Sequence, residues 1–186
     1  IQWEYTTSCG AVLRQTQTIE VLPPPEIEWI NAVPSQTITC EEANQYQIPD
    51  LSYDNGGSGN CRLTGSAPGV RSGTYDVCGG EWTIVWAATD DCGRVSEFVQ
   101  TITILPAAAA SWINPPEDAV LTCSEAADFV IPNLEVSNNE NDGCEIYASV
   151  AGIRTGSYDA CGGSWTITWT YTDACERTIT HTQNIA

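Results

Sequence analysis

Nine cysteines are the side chains with the clearest capacity for chemistry in this sequence of 186 residues. Thiols can pair as disulfides, bind zinc or act as nucleophiles. No two of these cysteines form a Cys-x-x-Cys pair, and His181 is the only histidine. A zinc site is therefore poorly supported. Disulfides formed in an oxidising, extracellular environment explain the pattern better.

Oxygen-bearing side chains near the cysteines are a second candidate for chemistry, because Ca²⁺ binds clustered carboxylate and amide oxygens. The candidate calcium ligands are Asp54, Asn55, Asp90, Asn138, Asp142 and Asp173. Asp and Asn are also frequent in turns for conformational reasons alone, and we favour that interpretation. The sequence thus predicts no cofactor, with calcium retained as an alternative.

A tandem repeat places these side chains in register. Its period is 83, the difference between the numbers of Cys40 and Cys123, and the sequence displaced by one period matches itself without a gap. The matched cysteines are Cys40 with Cys123, Cys61 with Cys144, Cys78 with Cys161, and both Cys9 and Cys175 with Cys92. We predict that residues 1–22 are the C-terminal end of a preceding repeat and that residues 23–105 are a complete repeat. Residues 106–186 form a second, nearly complete repeat, so the chain is expected to be a fragment of a longer protein.

The repeat argues against catalysis. A hydrolase needs a nucleophile with a base, or paired carboxylates. His181 stands where the other copy has Phe98, and the second member of the Asp90-Asp91 pair becomes Ala174 in the other copy. Neither candidate is therefore repeated, and we predict that the protein is not an enzyme.

Two proline-containing junctions separate the repeats. They are Pro23-Pro24-Pro25 and Pro106 followed by four alanines. Proline runs are extended and semi-rigid, and proline interrupts sheet pairing. The sequence therefore predicts that the repeats are self-contained units held apart on a stiff connection.

The elements that carry these residues are short strands. In Trp82–Ala88 the residues Trp82, Ile84, Trp86 and Ala88 alternate with smaller or polar ones, which predicts a strand with one buried face. The matching stretch after Trp165 alternates in the same way, and no segment shows a convincing helical period. We predict an all-β fold of tandem immunoglobulin-like β-sandwich repeats. The tryptophans are interpreted as core residues in preference to a sugar-binding platform.

Geometry favours one disulfide pattern among the three that four cysteines allow. Cys78 and Cys92 flank an extended strand that spans roughly 20 Å, whereas a disulfide needs Cα atoms about 4.4–6.8 Å apart. If the strands run up and down, Cys40 and Cys78 share one pole of the repeat. This order predicts the pairs Cys40–Cys78, Cys61–Cys92, Cys123–Cys161 and Cys144–Cys175, and it leaves the partner of Cys9 outside the chain.

The charge of the chain limits its partners. The formal net charge is −18 and the isoelectric point is about 4.1. A phosphate backbone would be repelled, so nucleic acid is not an expected partner. No apolar run approaches the roughly 20 residues of a membrane span, so direct membrane insertion is not expected either. Neighbouring repeats of the same chain are the partners that the repeat itself predicts.

The motif Cys-Gly-Gly-x-Trp-Thr-Ile-x-Trp-x-x-Thr-Asp-x-Cys occurs at Cys78–Cys92 and again at Cys161–Cys175. With the Gln-Thr-Ile-Thr-Ile strand that follows the first copy, it resembles the HYR-like immunoglobulin repeats of giant Bacteroidetes cell-surface adhesins. One departure is Glu176, which stands where Gly10 and Gly93 keep a glycine after the cysteine. The resemblance implies type IX secretion, attachment at the outer membrane, and a role in adhesion and gliding motility. It also implies a surface polysaccharide or another adhesion ligand as a partner.

Two classes of function therefore compete. The first is a structural and adhesive stalk of a long extracellular protein. The second is a carbohydrate-binding module of a secreted protein or a calcium-dependent interaction module. Tryptophans buried in both copies would favour the stalk, and tryptophans exposed in one copy would favour carbohydrate binding.

Overall fold

The computed structural model describes all residues from 1 to 186. About 48% of them lie in β-strands and about 10% in helices, so the expected all-β fold class is confirmed at that level. None of the helices is long and apolar enough to cross a bilayer. We refer to residues 23–105 as the first segment and to residues 106–186 as the second segment.

The chain before the first segment contains one antiparallel hairpin. It consists of β1 (Gln2–Thr6) and β2 (Val12–Thr16), and every residue of both strands is exposed. The hairpin therefore contributes no buried residues to either segment.

The first segment contains two sheets, with strand orders β3-β5-β6 and β4-β9-β8-β7. The strands are β3 (Glu28–Ile30), β4 (Gln36–Ile38), β5 (Leu51–Asp54), β6 (Thr64–Ala67), β7 (Val70–Asp76), β8 (Gly79–Thr89) and β9 (Val95–Ile104). Neighbouring strands are antiparallel except β4 and β9, which pair in parallel.

The second segment also contains two sheets, with orders β10-β11-β12 and β13-β14-β15. The strands are β10 (Ser111–Ile113), β11 (Leu134–Ser137), β12 (Tyr147–Val150), β13 (Ile153–Asp159), β14 (Gly162–Thr172) and β15 (Thr178–Ile185). The bounds of β10 to β14 are those of β3 and β5 to β8 displaced by one repeat period. A parallel bridge between Ala119 and Ile185 occupies the place of the β4–β9 pairing.

Alternation along β8 and β14 places the large side chains of both segments in the interior. Trp82 and Trp86 are 1% and 0% exposed, and the matching Trp165 and Trp169 are 4% and 0% exposed. The indole of Trp86 donates a hydrogen bond to the Pro49 carbonyl at 2.9 Å, which satisfies its one polar group. The interpretation of these tryptophans as core residues is confirmed.

Two short helices contradict the expectation of a chain without helix. They are α1 (Cys40–Gln45) and α2 (Cys123–Asp128), and each has six residues. Before α1, the Thr39 hydroxyl accepts from the Glu42 backbone N–H, while the Glu42 carboxylate accepts from the Thr39 N–H. This reciprocal pair is a capping box, which satisfies two N–H groups that a helix start leaves free. Helices this short cannot display a hydrophobic period.

The hydrophobic core is continuous between the two segments. One cluster of 14 buried residues joins Trp82, Trp86 and other residues of the first segment to Val136, Cys144 and Ile146 of the second. Ala107 and Ala110, 2% and 8% exposed, lie in the same cluster. The prediction that a stiff connection holds self-contained units apart is therefore wrong. The alanines after Pro106 are small enough for the segments to pack directly against each other.

Candidate functional site

Two disulfides join the first segment to the second. Cys40 at the start of α1 pairs with Cys144, and Cys78 before β8 pairs with Cys175 after β14. The Cα–Cα distances are 5.8 Å and 5.3 Å, within the range for disulfides. We call the contact region around these two bonds the junction, and we consider it the candidate functional site of the chain.

The predicted disulfide pattern within each repeat is wrong. The pairs Cys40–Cys78 and Cys144–Cys175 do not form, because all four of these cysteines are bonded across the junction. The prediction assumed that Cys40 ends a strand, whereas it begins α1, and Cys144 ends a short 3₁₀ turn (Asp142–Cys144) that contacts α1. The pairs Cys61–Cys92 and Cys123–Cys161 are not formed either, since these four thiols are free and exposed. Cys9 is also free and exposed.

Apolar and polar contacts surround the Cys40–Cys144 bond. Cys40 and Cys144 are 1% and 0% exposed. The side-chain amide nitrogen of Asn44 in α1 donates to the Cys144 sulfur at 3.4 Å. The Tyr75 hydroxyl donates to the side-chain oxygen of Asn44 at 2.6 Å. These contacts fix α1 against the second segment, so the bond lies within packed structure.

In each segment an arginine ties the turn after the long strand, β8 or β14, to the first residues of the same segment. Arg177 forms an ion pair with Asp173 at 2.6 Å and donates to the Ala107 carbonyl at 2.7 Å. In the first segment Arg94 contacts Asp90 at 2.5 Å and donates to the Pro24 carbonyl at 2.8 Å. The Asp173 side chain is only 3% exposed, so its charge requires the arginine partner.

Hydrogen bonds hold the pKa of Asp173 below its ordinary value. Burial is the largest single influence and raises the pKa, but backbone and side-chain hydrogen bonds from Arg177, together with its charge, outweigh burial. The backbone N–H of Cys175 adds a further bond at 2.9 Å. Asp90 has a lowered pKa for the same set of causes, supplied by Arg94 and Cys92.

Five of the six candidate calcium ligands accept hydrogen bonds from the protein's own donors. Asp54 accepts from Arg62 at 2.7 Å, while Asp90 and Asp173 accept from arginines as described. The carbonyl oxygen of Asn55 accepts from two backbone N–H groups, and that of Asn138 does the same in the second segment. Asp142 begins the 3₁₀ turn with a positive φ of 54°. No group of three or more His, Cys, Asp or Glu side chains is placed to hold a metal ion. The side-chain oxygens of the other five candidates stabilise turns.

The candidate catalytic side chains have structural surroundings. His181 packs beside Trp169 with ring centroids 5.8 Å apart, and Phe98 packs beside Trp86 at the same distance. A ring nitrogen of His181 also lies 2.9 Å from the Pro116 carbonyl oxygen. Asp91 is exposed, whereas its neighbour Asp90 is buried and paired with Arg94. These residues do not form a common site.

The turn at Glu176 keeps the shape that glycine gives it elsewhere. Glu176 has a φ of 63°, close to the 78° of Gly93 and the 82° of Gly10. Its N–H donates to the Asp173 carbonyl at 3.1 Å, as the Gly93 N–H does to Asp90 at 2.9 Å. The departure from glycine therefore leaves the turn intact, although a non-glycine residue adopts this left-handed conformation at an energetic cost.

Two parts of the junction were not found by sequence reasoning. The helix α1 places Cys40 and Asn44, and the Thr-x-x-Glu motif at Thr39 is the signal that could have located it. The tether from Arg177 to Ala107 has a weaker signal, which is the recurrence of Arg94 and Arg177 at the second position after a cysteine. Neither signal indicates which segment the cysteine would bond.

The fold and the junction together define a disulfide-linked, mainly β protein with closely packed successive segments. Two disulfides indicate an oxidising environment such as the extracellular space. Comparison with known protein families and with curated proteins finds no match for the chain.

We expect the stability of the chain to fall as the pH is lowered below about 4. The pKa values of Asp90 and Asp173 are lower in the folded chain than in the unfolded chain, so the unfolded chain binds protons first as the pH falls. The stability that these two carboxylates contribute is therefore complete above their unfolded-state pKa and is lost as the pH falls to their folded-state pKa. An Asp173→Asn variant should show a flatter dependence of its urea midpoint on pH. The control is Asp91→Asn at an exposed position. An equally steep pH dependence in both variants would contradict the assigned role of Asp173.

Proposed function

We propose that the chain is a stalk portion of a long, secreted cell-surface adhesin, built from tandem immunoglobulin-like units that each span one repeat period. The observation that carries this proposal is the junction, where two disulfides and a shared core join successive segments. A module that only binds a ligand has no need of a covalent connection to its neighbour. A stalk that must keep its shape outside the cell gains directly from one.

The burial of the tryptophans supports the stalk over a carbohydrate-binding module. A sugar platform needs aromatic faces open to solvent, whereas Trp82, Trp86, Trp165 and Trp169 are all at most 4% exposed. Their burial is nearly equal in the two segments, as expected for repeated units with the same structural role.

The resemblance of the Cys78–Cys92 motif to HYR-like adhesin repeats supports the location and the wider role. On that basis we propose export by the type IX system, attachment at the outer membrane, and participation in surface adhesion and gliding. The proposed role requires no catalysis. Neighbouring repeats are the proposed immediate partners, and a surface polysaccharide is a proposed ligand of the whole adhesin.

Small-angle X-ray scattering of the oxidised chain tests the proposal. We expect one fixed arrangement of the segments that fits the structure, with no change between added calcium and chelator. An Ala107→Glu variant should loosen the arrangement because it places a charge in the shared core, whereas Ala109→Glu at an exposed position should not. Two freely moving segments in the unaltered chain would contradict a stalk.

Binding assays on immobilised polysaccharides separate the stalk from its alternatives. We expect no retention of the chain on the polysaccharides and no turnover of them. Retention of the chain with a change in tryptophan fluorescence would support a carbohydrate-binding module. A thermal midpoint that rises with millimolar calcium would support a calcium-dependent module.

A further inference from the structure

The two junction disulfides follow one rule when the cysteines are numbered by their place in the repeat. The first place is held by Cys40 and Cys123, the second by Cys61 and Cys144, the third by Cys78 and Cys161, and the fourth by Cys9, Cys92 and Cys175. The first place of one segment bonds the second place of the next, in Cys40–Cys144. The third place bonds the fourth place of the next, in Cys78–Cys175.

The four free cysteines of the two segments are those that this rule directs away from the junction. Cys123 and Cys161 hold the places that bond to a following segment, and Cys61 and Cys92 hold the places that bond to a preceding one. All four are exposed, whereas Cys40 and Cys144 in the matching places are buried. The chain therefore presents two unlinked faces, and each carries two thiols.

The face around Cys123 is an unfilled counterpart of the junction. An apolar groove there is lined by Leu121, Cys123, Ala126, Tyr158 and Trp165. In the first segment the matching residues Ile38, Cys40, Ala43, Tyr75 and Trp82 pack in or against the core cluster that contains Val136, Cys144 and Ile146. The second segment thus has the receiving surface without the residues that fill it.

The opposite face, on the first segment, carries the residues that match those which the second segment packs into the junction. Tyr53, Cys61 and Leu63 correspond to Val136, Cys144 and Ile146. The three residues at the junction are at most 5% exposed, while Cys61 is exposed and Tyr53 and Leu63 are only half-buried. The two faces therefore match in the positions of their thiols and of the apolar and aromatic residues beside them.

We propose that each unlinked face binds another repeat of this same type and bonds to it through two disulfides. The occupant of the Cys123 face carries equivalents of Cys144, Ile146 and Cys175, and the occupant of the Cys61 face carries equivalents of Cys40 and Cys78. A run of such repeats becomes a covalent ladder with two disulfides at every junction. This inference rests on the tandem-repeat organisation proposed above and names its mode of assembly.

The chemistry of each bond is thiol–disulfide exchange. Two cysteine thiols lose two protons and two electrons as their S–S bond forms, and a small disulfide such as oxidised glutathione accepts them and leaves as two thiols. The ladder therefore needs an oxidising compartment, in agreement with the two bonds already present.

Thiol counting on the oxidised chain tests the pairing rule. Alkylation of the monomeric oxidised chain without reduction, followed by peptide mapping, should modify Cys9, Cys61, Cys92, Cys123 and Cys161 and no other cysteine. Pairing within each repeat would leave only Cys9 to be modified, and that result would overturn the proposal.

An in-register duplication tests the faces themselves. A second copy of residues 23–105 inserted after residue 105 adds four cysteines. The proposal expects two additional disulfides, Cys40 of the first copy to Cys61 of the second and Cys78 of the first to Cys92 of the second, with the same number of free thiols. Four extra free thiols, or bonds within the inserted copy, would overturn it. A polysaccharide ligand found for the chain would contradict the stalk function but would leave both thiol counts unchanged.

Discussion

Replacing Trp86 with alanine is expected to lower the free energy of unfolding by about 3–5 kcal/mol. The side chain is fully buried and its indole donates to the Pro49 carbonyl, so the substitution removes core contacts and leaves that carbonyl without its partner. Urea denaturation followed by circular dichroism measures the loss. Trp169→Ala should have a similar effect, because Trp169 is equally buried and donates to Pro132 at 3.0 Å.

The chain supplies a matched control for this prediction. Trp3 holds the same place in the repeat as Trp86, but it is 48% exposed in the hairpin formed by β1 and β2. A Trp3→Ala variant should change the free energy of unfolding by less than about 0.5 kcal/mol. Equal losses for Trp3→Ala and Trp86→Ala would show that the hairpin is packed as a core element, contrary to the structure.

Removing the Cys40–Cys144 disulfide with a Cys40→Ala, Cys144→Ala double variant should lower the free energy of unfolding by about 2–4 kcal/mol. The bond joins residues 104 positions apart, so its loss frees a long loop in the unfolded chain. Chemical denaturation under non-reducing conditions measures the change.

The repeat also supplies a control variant for the removal of the disulfide. Cys123 and Cys61 match Cys40 and Cys144, but both are free and exposed. The Cys123→Ala, Cys61→Ala double variant should unfold within about 0.5 kcal/mol of the unaltered chain. If both double variants lose the same free energy, the stabilising bonds are not those at the junction.

The strands and their buried faces could be predicted because their information is local. The period-two pattern around Trp82 and Trp165 states which side chains point inward, and the structure buries those same side chains. The helix α1 was not predicted because six residues are too few to show a helical hydrophobic period, although its capping motif at Thr39 is present in the sequence.

The disulfide partners could not be read from the sequence for a different reason. In a tandem repeat, a bond from Cys40 to the second cysteine of its own unit and a bond to that of the next unit use the same residue types. Because Cys61 and Cys144 hold matching positions one period apart, the sequence does not indicate which of them would bond to Cys40. The choice depends on how closely the units approach, and the alanines after Pro106 permit the packing that brings Cys144 to Cys40.

The two disulfides interleave along the chain, because Cys78 lies between Cys40 and Cys144 while its partner Cys175 lies beyond them. This arrangement has a mechanical consequence. Under tension applied at the chain ends, the shorter covalent route from Cys40 to Cys175 crosses the Cys40–Cys144 bond and then follows the chain through β12, β13 and β14. The 104 residue positions that separate Cys40 from Cys144 then carry no load. At about 3.3–3.6 Å for each extended residue, the two bonds withhold roughly 350 Å of contour length that a reduced chain would release. A polymer of such units would lengthen little when pulled. Reduction of its disulfides would make the same polymer far more extensible.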